Sequence, residues 1–156
     1  MNINRITDNE IMITPNFAKN TDHFSFYIRP TIGYAFNRSS LQPIYNNNSF
    51  NFNGEFGGDV ELPWKINLHS DFNYQWEEKT EVLPVFNQVI WNASIKKSFL
   101  KDESLSIKLE CKDILNQNNG FKRKVDDIGL TQNTYTTIRR FLMISAIWNF
   151  NKVGGK

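Results

Sequence analysis

Residues 64–76 read WKINLHSDFNYQW, a stretch in which apolar and polar side chains alternate almost without fault. Successive side chains of a β-strand point to opposite faces, so this alternation predicts a strand with one apolar and one polar face. The apolar face holds Trp64, Ile66, Leu68, Ser70, Phe72, Tyr74 and Trp76, and the polar face holds Lys65, Asn67, His69, Asp71, Asn73 and Gln75. With a tilt of about 45°, the two tryptophans stand about 28 Å apart along a membrane normal. This separation is close to the thickness of a bilayer's hydrocarbon core.

The same two-residue period recurs along the chain and predicts about seven strands with no helical pattern between them. The other strands are predicted at Glu10–Phe17, Phe24–Phe36, Phe50–Leu62, Val89–Ile95, Leu105–Cys111 and Ile138–Phe150. Pro30 lacks an N–H and should weaken its strand locally, and Gly57 and Gly58 suggest a bend or bulge. Two short links alternate with three long links, as in outer-membrane barrels. The short links are predicted at Leu62–Trp64 and Leu100–Asp102, and the long links near Asn37–Asn48, Glu77–Pro84 and Asn116–Thr134. The fold predicted for residues 1–156 is therefore an all-β antiparallel up-and-down meander, an incomplete segment of a transmembrane β-barrel.

Composition is compatible with a membrane protein only if the chain crosses the bilayer as strands. Hydrophobic residues make up 40% of the 156 residues and the mean hydropathy is −0.49. No run approaches the roughly 18 continuous apolar residues of a membrane helix, whereas a barrel needs only half of each strand to be apolar. The net charge of +2 is scattered along the chain, so nucleic acid is not expected as a partner.

A soluble β-sandwich or a lipocalin-like barrel would show the same alternation, with the apolar face turned inward. Strands of about 12 to 14 residues, aromatic ends and charges along the whole opposite face favour the membrane interpretation. Under this interpretation the tryptophans expected at the membrane interface are Trp64, Trp76, Trp91 and Trp148. The polar residues expected to face the lumen are Glu55, Asp59, Lys65, His69, Asp71, Lys108 and Glu110.

The residue pattern does not predict an enzyme. His23 and His69 are the only histidines, and neither has a metal-ligand spacing with Cys111 or with a pair of carboxylates. Phosphate-binding and nucleophile motifs are not found. His69 and Asp71 share a strand face and could form an acid/base pair, but such a pair more often lines a wet channel. We therefore expect no catalytic residue, no metal site and no cofactor, and we expect Cys111 to act as a small apolar side chain.

Two segments carry a resemblance to a known family: KDILNQNNG at Lys112–Gly120 and RRFLMISAIWNFNK at Arg139–Lys152. Together they resemble the C-terminal end of the outer-membrane β-barrel in TonB-dependent receptors of Bacteroidetes-type bacteria, and upstream hairpins fit the same family. The resemblance implies that Trp148 and Phe150 form the aromatic end of the signal read by the barrel assembly machinery. Alternatively, both residues belong only to the aromatic girdle.

The receptor family also has a signal peptide, an N-terminal plug and a TonB-contacting box, which are not found in these residues. About seven strands is an odd number and too few for a transporter barrel. We therefore expect the C-terminal part of a larger outer-membrane barrel for nutrient uptake. Its expected partners are outer-membrane lipid and the barrel assembly machinery, with the TonB system only if the missing N-terminal parts exist. The alternatives are a soluble or periplasmic β-barrel that binds an apolar ligand, and an inactive gene remnant.

Overall fold

The computed structural model describes residues 3, 5–41, 43, 46–81, 83–100, 103–126 and 129–150. In this part of the chain, eight strands form one antiparallel sheet, with the order β1-β3-β4-β5-β6-β7-β10 and with β2 also paired to β3. A separate two-stranded hairpin, β8–β9, precedes the last strand. The strands are β1 (Ile6–Ile13), β2 (Phe17–Asn20), β3 (Phe24–Ser39), β4 (Asn47–Leu62), β5 (Ile66–Glu77), β6 (Phe86–Phe99), β7 (Leu105–Lys112), β8 (Phe121–Asp126), β9 (Gly129–Thr134) and β10 (Phe141–Trp148). The prediction of an all-β antiparallel meander is confirmed.

The sheet is not closed. The strands β1 and β2 occupy one edge and β10 occupies the other, so the sheet has seven strand positions. An open sheet of this kind is consistent with a segment of a barrel, because closure into a barrel is what removes the two edges. No helix among the described residues is long and apolar enough to cross a membrane.

Strand register brings the predicted apolar faces together on one side of the sheet. Phe72 of β5 is paired with Phe56 of β4 and with Trp91 of β6. The ring centroids of Phe56 and Phe72 are 5.9 Å apart, and those of Phe72 and Trp91 are 5.0 Å apart. Directly opposed aromatic side chains stabilise neighbouring strands. The apolar side chains therefore form one continuous surface across β4, β5 and β6.

Gly57 and Gly58 do not form a bulge, in contrast to the prediction. The pairing of β4 with β3 and with β5 runs through both glycines without an inserted residue. A Cβ atom on Gly57 would lie 2.7 Å from the ring of Tyr27, which is paired with Gly57 on β3. Glycine in a strand can mark either a bulge or a close approach of a neighbour, and here the reason is the close approach.

The first predicted strand is divided in two, and two prolines explain the division. Pairing with β3 stops at Ile13, opposite Ile32, and resumes at Phe17, opposite Ile28. The register is the same on both sides of the gap, which places Pro15 opposite Pro30. Neither proline has an N–H to donate, so the ladder is interrupted at this point.

The links alternate between the two ends of the sheet, as predicted. Residues 21–23, 63–65 and 100–104 form the short links at one end, and residues 40–46, 78–85 and 113–140 form the long links at the other. Lys101 and Asp102, in the short link predicted at Leu100–Asp102, lie outside the described residues. The strand predicted from Trp64 begins only at Ile66, because Trp64 and Lys65 lie in a turn with φ angles of 63° and 60°.

Burial in the sheet is the reverse of that in a soluble domain. No apolar side chain among the described residues is buried, whereas the polar side chains of Ser106, Glu110 and Asp113 are 5%, 9% and 3% exposed. The sheet is a single layer, so no second layer covers its apolar face. A soluble domain needs such a layer to remove its apolar surface from water. This apolar surface therefore requires an apolar environment from outside the sheet.

Candidate functional site on the polar face of the sheet

Six of the seven residues predicted to face the lumen lie on the polar face of the sheet. Asp59, His69 and Glu110 belong to one row that crosses β4, β5, β6 and β7. In this row Ser94 of β6 lies between His69 and Glu110. The other members of the face are Glu55, Asp71 and Lys108. Sequence alternation within each strand predicted the face, and the register between strands determines which of these charges are neighbours.

His69 lies at the centre of a polar network. Its Nδ1 atom is 3.0 Å from Oδ1 of Asp59, and its Nε2 atom is 3.2 Å from Oδ1 of Asp71. The network continues on both sides: Ser25 Oγ donates to Asp59 Oδ2 at 3.4 Å, and Asn92 Nδ2 donates to Asp71 Oδ2 at 2.7 Å. It joins four neighbouring strands, β3 to β6, through side chains alone. The expected proximity of His69 and Asp71 is found, within a hydrogen-bonded polar surface.

Two groups of opposite charges lie to either side of this network. Arg29 Nη1 is 2.9 Å from Glu55 Oε2, and both side chains are nearly half exposed. On β7, Glu110 Oε1 lies 3.2 Å from Lys108 Nζ and 3.0 Å from Lys112 Nζ. The polar face therefore presents paired charges of both signs, which can contact a polar or charged solute.

Lys65 does not line this face, in contrast to the prediction. It lies in the turn between β4 and β5, where its Nζ atom is 3.2 Å from Oε1 of Glu103 and 3.2 Å from the carbonyl oxygen of Leu100. The left-handed φ of Lys65 ends the alternation of the strand and directs the side chain to the neighbouring short turn. Lys65 therefore links two turns at one end of the sheet.

Three of the four predicted interface tryptophans lie near the ends of the sheet. Trp64 is in a short turn, and Trp148 ends β10 opposite Leu105 at the same end. Trp76 lies at the long-link end of β5, opposite Phe52. Trp91, in contrast, lies midway along its strand, where its Nε1 atom donates to Ser70 Oγ at 2.9 Å. The periodicity of β6 predicted the face on which Trp91 lies, but it could not predict how far Trp91 lies from the ends of the sheet.

The terminal aromatic residues lie at the open edge. Trp148 is 68% exposed, Phe150 follows the strand and is 77% exposed, and their ring centroids are 5.8 Å apart in an edge-to-face arrangement. Their predicted role as an assembly signal remains a prediction. Cys111 lies on the apolar face, opposite Ala93 and Leu142, and is a free thiol.

Comparison with known families determines the class of the protein. The model of the outer membrane protein beta-barrel family matches residues 2–148. The chain belongs to this family. Searches of curated proteins and of solved structures gave no match.

Membership of the outer membrane protein beta-barrel family explains the reversed burial of the sheet and indicates an outer-membrane location. In such proteins the apolar side chains contact lipid, and the polar side chains face the interior of the barrel. In a barrel of this family, lipid is the apolar environment of that face. Membership therefore favours the membrane interpretation over a soluble sandwich or a lipocalin-like barrel.

The family's polar face includes residues that the sequence alone did not single out. Arg29 and Asn92 complete the first charge pair and the hydrogen-bonded network described above. The alternation within each strand placed both residues on the polar face. It could not identify their partners, because these lie on neighbouring strands. Among the described residues, no group of three or more His, Cys, Asp or Glu side chains is arranged to hold a metal ion.

Proposed function

We propose that this outer-membrane barrel protein is the C-terminal part of a TonB-dependent receptor that takes up a nutrient. The observation that carries the proposal is the charged and hydrogen-bonded polar face, centred on His69, of a sheet whose opposite face is apolar. Lumen side chains tune the solutes that a barrel admits. The resemblance of the Lys112–Gly120 and Arg139–Lys152 segments to receptors of this kind supports the more specific assignment.

The alternating links support an orientation in the membrane. Outer-membrane barrels have short periplasmic turns and longer extracellular loops. The ends with residues 63–65 and 100–104 then face the periplasm, and the links 40–46, 78–85 and 113–140 face the cell surface. With this orientation Trp148 and Phe150 lie at the periplasmic end, where the barrel assembly machinery would read them.

The remaining parts of the proposal concern partners and chemistry. The apolar face contacts outer-membrane lipid, and energy reaches the receptor through TonB if the parent protein carries a plug and a TonB-contacting segment. The protein acts without a cofactor and is not an enzyme. Its polar face binds solutes transiently during passage.

Uptake measurements test this proposal. Cells that carry the gene, cells that lack it and cells without TonB are compared across a panel of iron chelates, oligosaccharides and peptides. The proposal predicts that uptake of one class of solute is lost in both mutants. In the gene deletion, this uptake should return when the gene is restored. Loss in the gene deletion alone would indicate a barrel that works without TonB. Unchanged uptake of every class would instead favour an inactive remnant.

Location is tested separately. The protein should sediment with the outer-membrane fraction, and its folded form should migrate differently from the boiled form on a gel. Recovery as a soluble, monodisperse monomer without detergent would contradict the proposal and would favour a soluble barrel that binds an apolar ligand.

A further inference from the structure

Strand β7 is shorter than the neighbouring strand β6 and pairs with only part of it. It has 8 residues, whereas β6 has 14. Pairing between the two covers only Ala93–Phe99 of β6, so the Phe86–Asn92 segment extends beyond β7 toward the long-link end. Backbone groups without a partner are costly in an apolar environment. Something other than β7 must therefore satisfy this part of the edge.

The chain that follows β7 turns back against this edge. The N–H of Ile114 donates to the carbonyl of Trp91 at 2.8 Å, and the N–H of Val89 donates to Oε1 of Gln117 at 2.8 Å. Gln88 Nε2 also donates to the carbonyl of Gln117 at 2.6 Å. The segment thus pairs with β6 by a mixture of backbone and side-chain bonds in place of a regular ladder.

Asp113 holds this turn together from the inside. It is only 3% exposed, and its carboxylate accepts the N–H of Gln117 at 2.9 Å and the N–H of Asn118 at 3.0 Å. Its own N–H donates to Oδ1 of Asn92 at 2.9 Å, which connects the turn to the polar network. Asp113 and Asn116 have φ angles of 48° and 57°. Asp and Asn tolerate the left-handed region best among residues with a side chain, which gives a physical reason for the Asp and the first Asn of the KDILNQNNG segment.

The same turn is bonded to the far end of the loop that it begins. The N–H of Tyr135 donates to the carbonyl of Gly120 at 2.8 Å, and Thr137 Oγ1 donates to the carbonyl of Asn118 at 2.9 Å. The two strands of the β8–β9 hairpin lie between these contacts, since β8 begins after Gly120 and β9 ends before Tyr135. Both ends of the hairpin are therefore attached to one turn.

We propose that residues 113–120 form an edge clasp, a turn that replaces the missing part of β7 along β6 and fixes the base of the β8–β9 hairpin. Asp113 is the positioning residue of the clasp, since it bonds the turn internally and to Asn92. In the outer membrane this places the hairpin at a defined position on the rim of the barrel. The clasp depends on the family fold and is independent of the TonB assignment.

Trypsin provides the test, because Lys122, Arg123 and Lys124 lie in β8, separated from the end of the clasp by one residue. Cleavage at these residues is timed by mass spectrometry on the full protein in isolated outer membranes. Asp113→Ala should speed cleavage by at least about tenfold, because it removes both hydrogen bonds to the carboxylate and the loss of one such bond alone corresponds to about tenfold. Asp113→Asn should give a smaller increase, because the amide retains one acceptor oxygen.

Two exposed residues supply matched controls. Asp22→Ala removes an acid from a short turn at the opposite end of the sheet, and Asn119→Ala removes an amide two residues after Gln117. Both should leave cleavage and heat-dependent gel mobility unchanged. Gln117→Ala removes the acceptor for the Val89 N–H and retains the carboxylate of Asp113. This variant is used for the test if Asp113→Ala fails to assemble. Cleavage within twofold of wild type in both Asp113→Asn and Gln117→Ala would overturn the proposal.

Discussion

The imidazole of His69 lies between two carboxylates, 3.0 Å from Asp59 on the neighbouring strand and 3.2 Å from Asp71 on its own strand. Asp59 and Asp71 also accept hydrogen bonds from Ser25 and Asn92. A change at this one position therefore affects contacts on several strands. Since the side chain of His69 is 36% exposed, water competes for these contacts and reduces their contribution.

His69→Leu should lower the free energy of unfolding of the assembled protein by about 1 kcal/mol, because its polar partners lose a shared neighbour. Asn73→Leu is the matched control, since Asn73 lies on the same face of β5 and is exposed. The measurement is the denaturant midpoint for loss of the heat-modifiable band. Equal midpoints for the two variants would show that the network does not contribute to stability.

Gly57→Ala should destabilise the barrel by about 1 kcal/mol, the low end of the cost of inserting a methyl group into a packed site, because the added Cβ meets the outer end of the Tyr27 ring, which can shift. The added Cβ would lie 2.7 Å from the Tyr27 ring, whereas at Gly54 it would lie 3.2 Å from the nearest atom of Phe52. Gly54→Ala should therefore cost less.

A double-mutant cycle checks the cause of the Gly57 effect. In a Tyr27→Ala background the added methyl group has no ring to meet, so Gly57→Ala should be nearly neutral there. If the cost is the same with and without Tyr27, strand conformation and not contact with Tyr27 explains the glycine.

Glu110→Gln should destabilise the protein and make its stability depend on salt. The lysines at positions 108 and 112 both contact the same carboxylate oxygen, so neutralising it leaves two positive charges close together. Repulsion between partly exposed charges is screened by ions. The free energy of unfolding of Glu110→Gln and of the wild type is measured at low and high salt, and the difference between them should be smaller at high salt. Adding Lys108→Gln to the Glu110→Gln variant should also reduce this difference.

Removing both Trp148 and Phe150 by substitution with Ala should lower the amount of folded protein in the outer membrane several-fold, if these residues act as an assembly signal. Trp64→Ala is the control, because Trp64 is also exposed at the short-link end. Levels are compared after a short induction, with total synthesis measured in parallel. A similar decrease in both proteins would favour the simple girdle role.

The faces of the strands could be predicted from the sequence because each strand reports its own alternation. Leu105–Lys112, for example, has the bounds expected to within one residue. Relations between strands could not be predicted in this way. The contact of Tyr27 with Gly57 depends on the β3–β4 register, and two adjacent glycines by themselves are equally compatible with a bulge.

The β8–β9 hairpin was not predicted, because it lies in a region that was expected to be a loop, from Asn116 to Thr134. Its segments, FKRKVD and GLTQNT, are only six residues each and mostly polar, so they lack the long alternation that identified the other strands. Pairing between two short neighbouring segments can form from local contacts without a strong apolar pattern. The burial of Asp113 could not be predicted either, because an acidic residue just after a strand is usually exposed to solvent.

The seven strand positions of the open sheet fix the direction of its two edges. All neighbours in the sheet are antiparallel, so β1 and β10 run in the same direction. Two copies side by side, with the same orientation in the membrane, would bring these edges together as a parallel pair, which is slightly less stable than an antiparallel one. Closure by antiparallel pairing throughout instead requires an odd number of additional strands between β10 and β1.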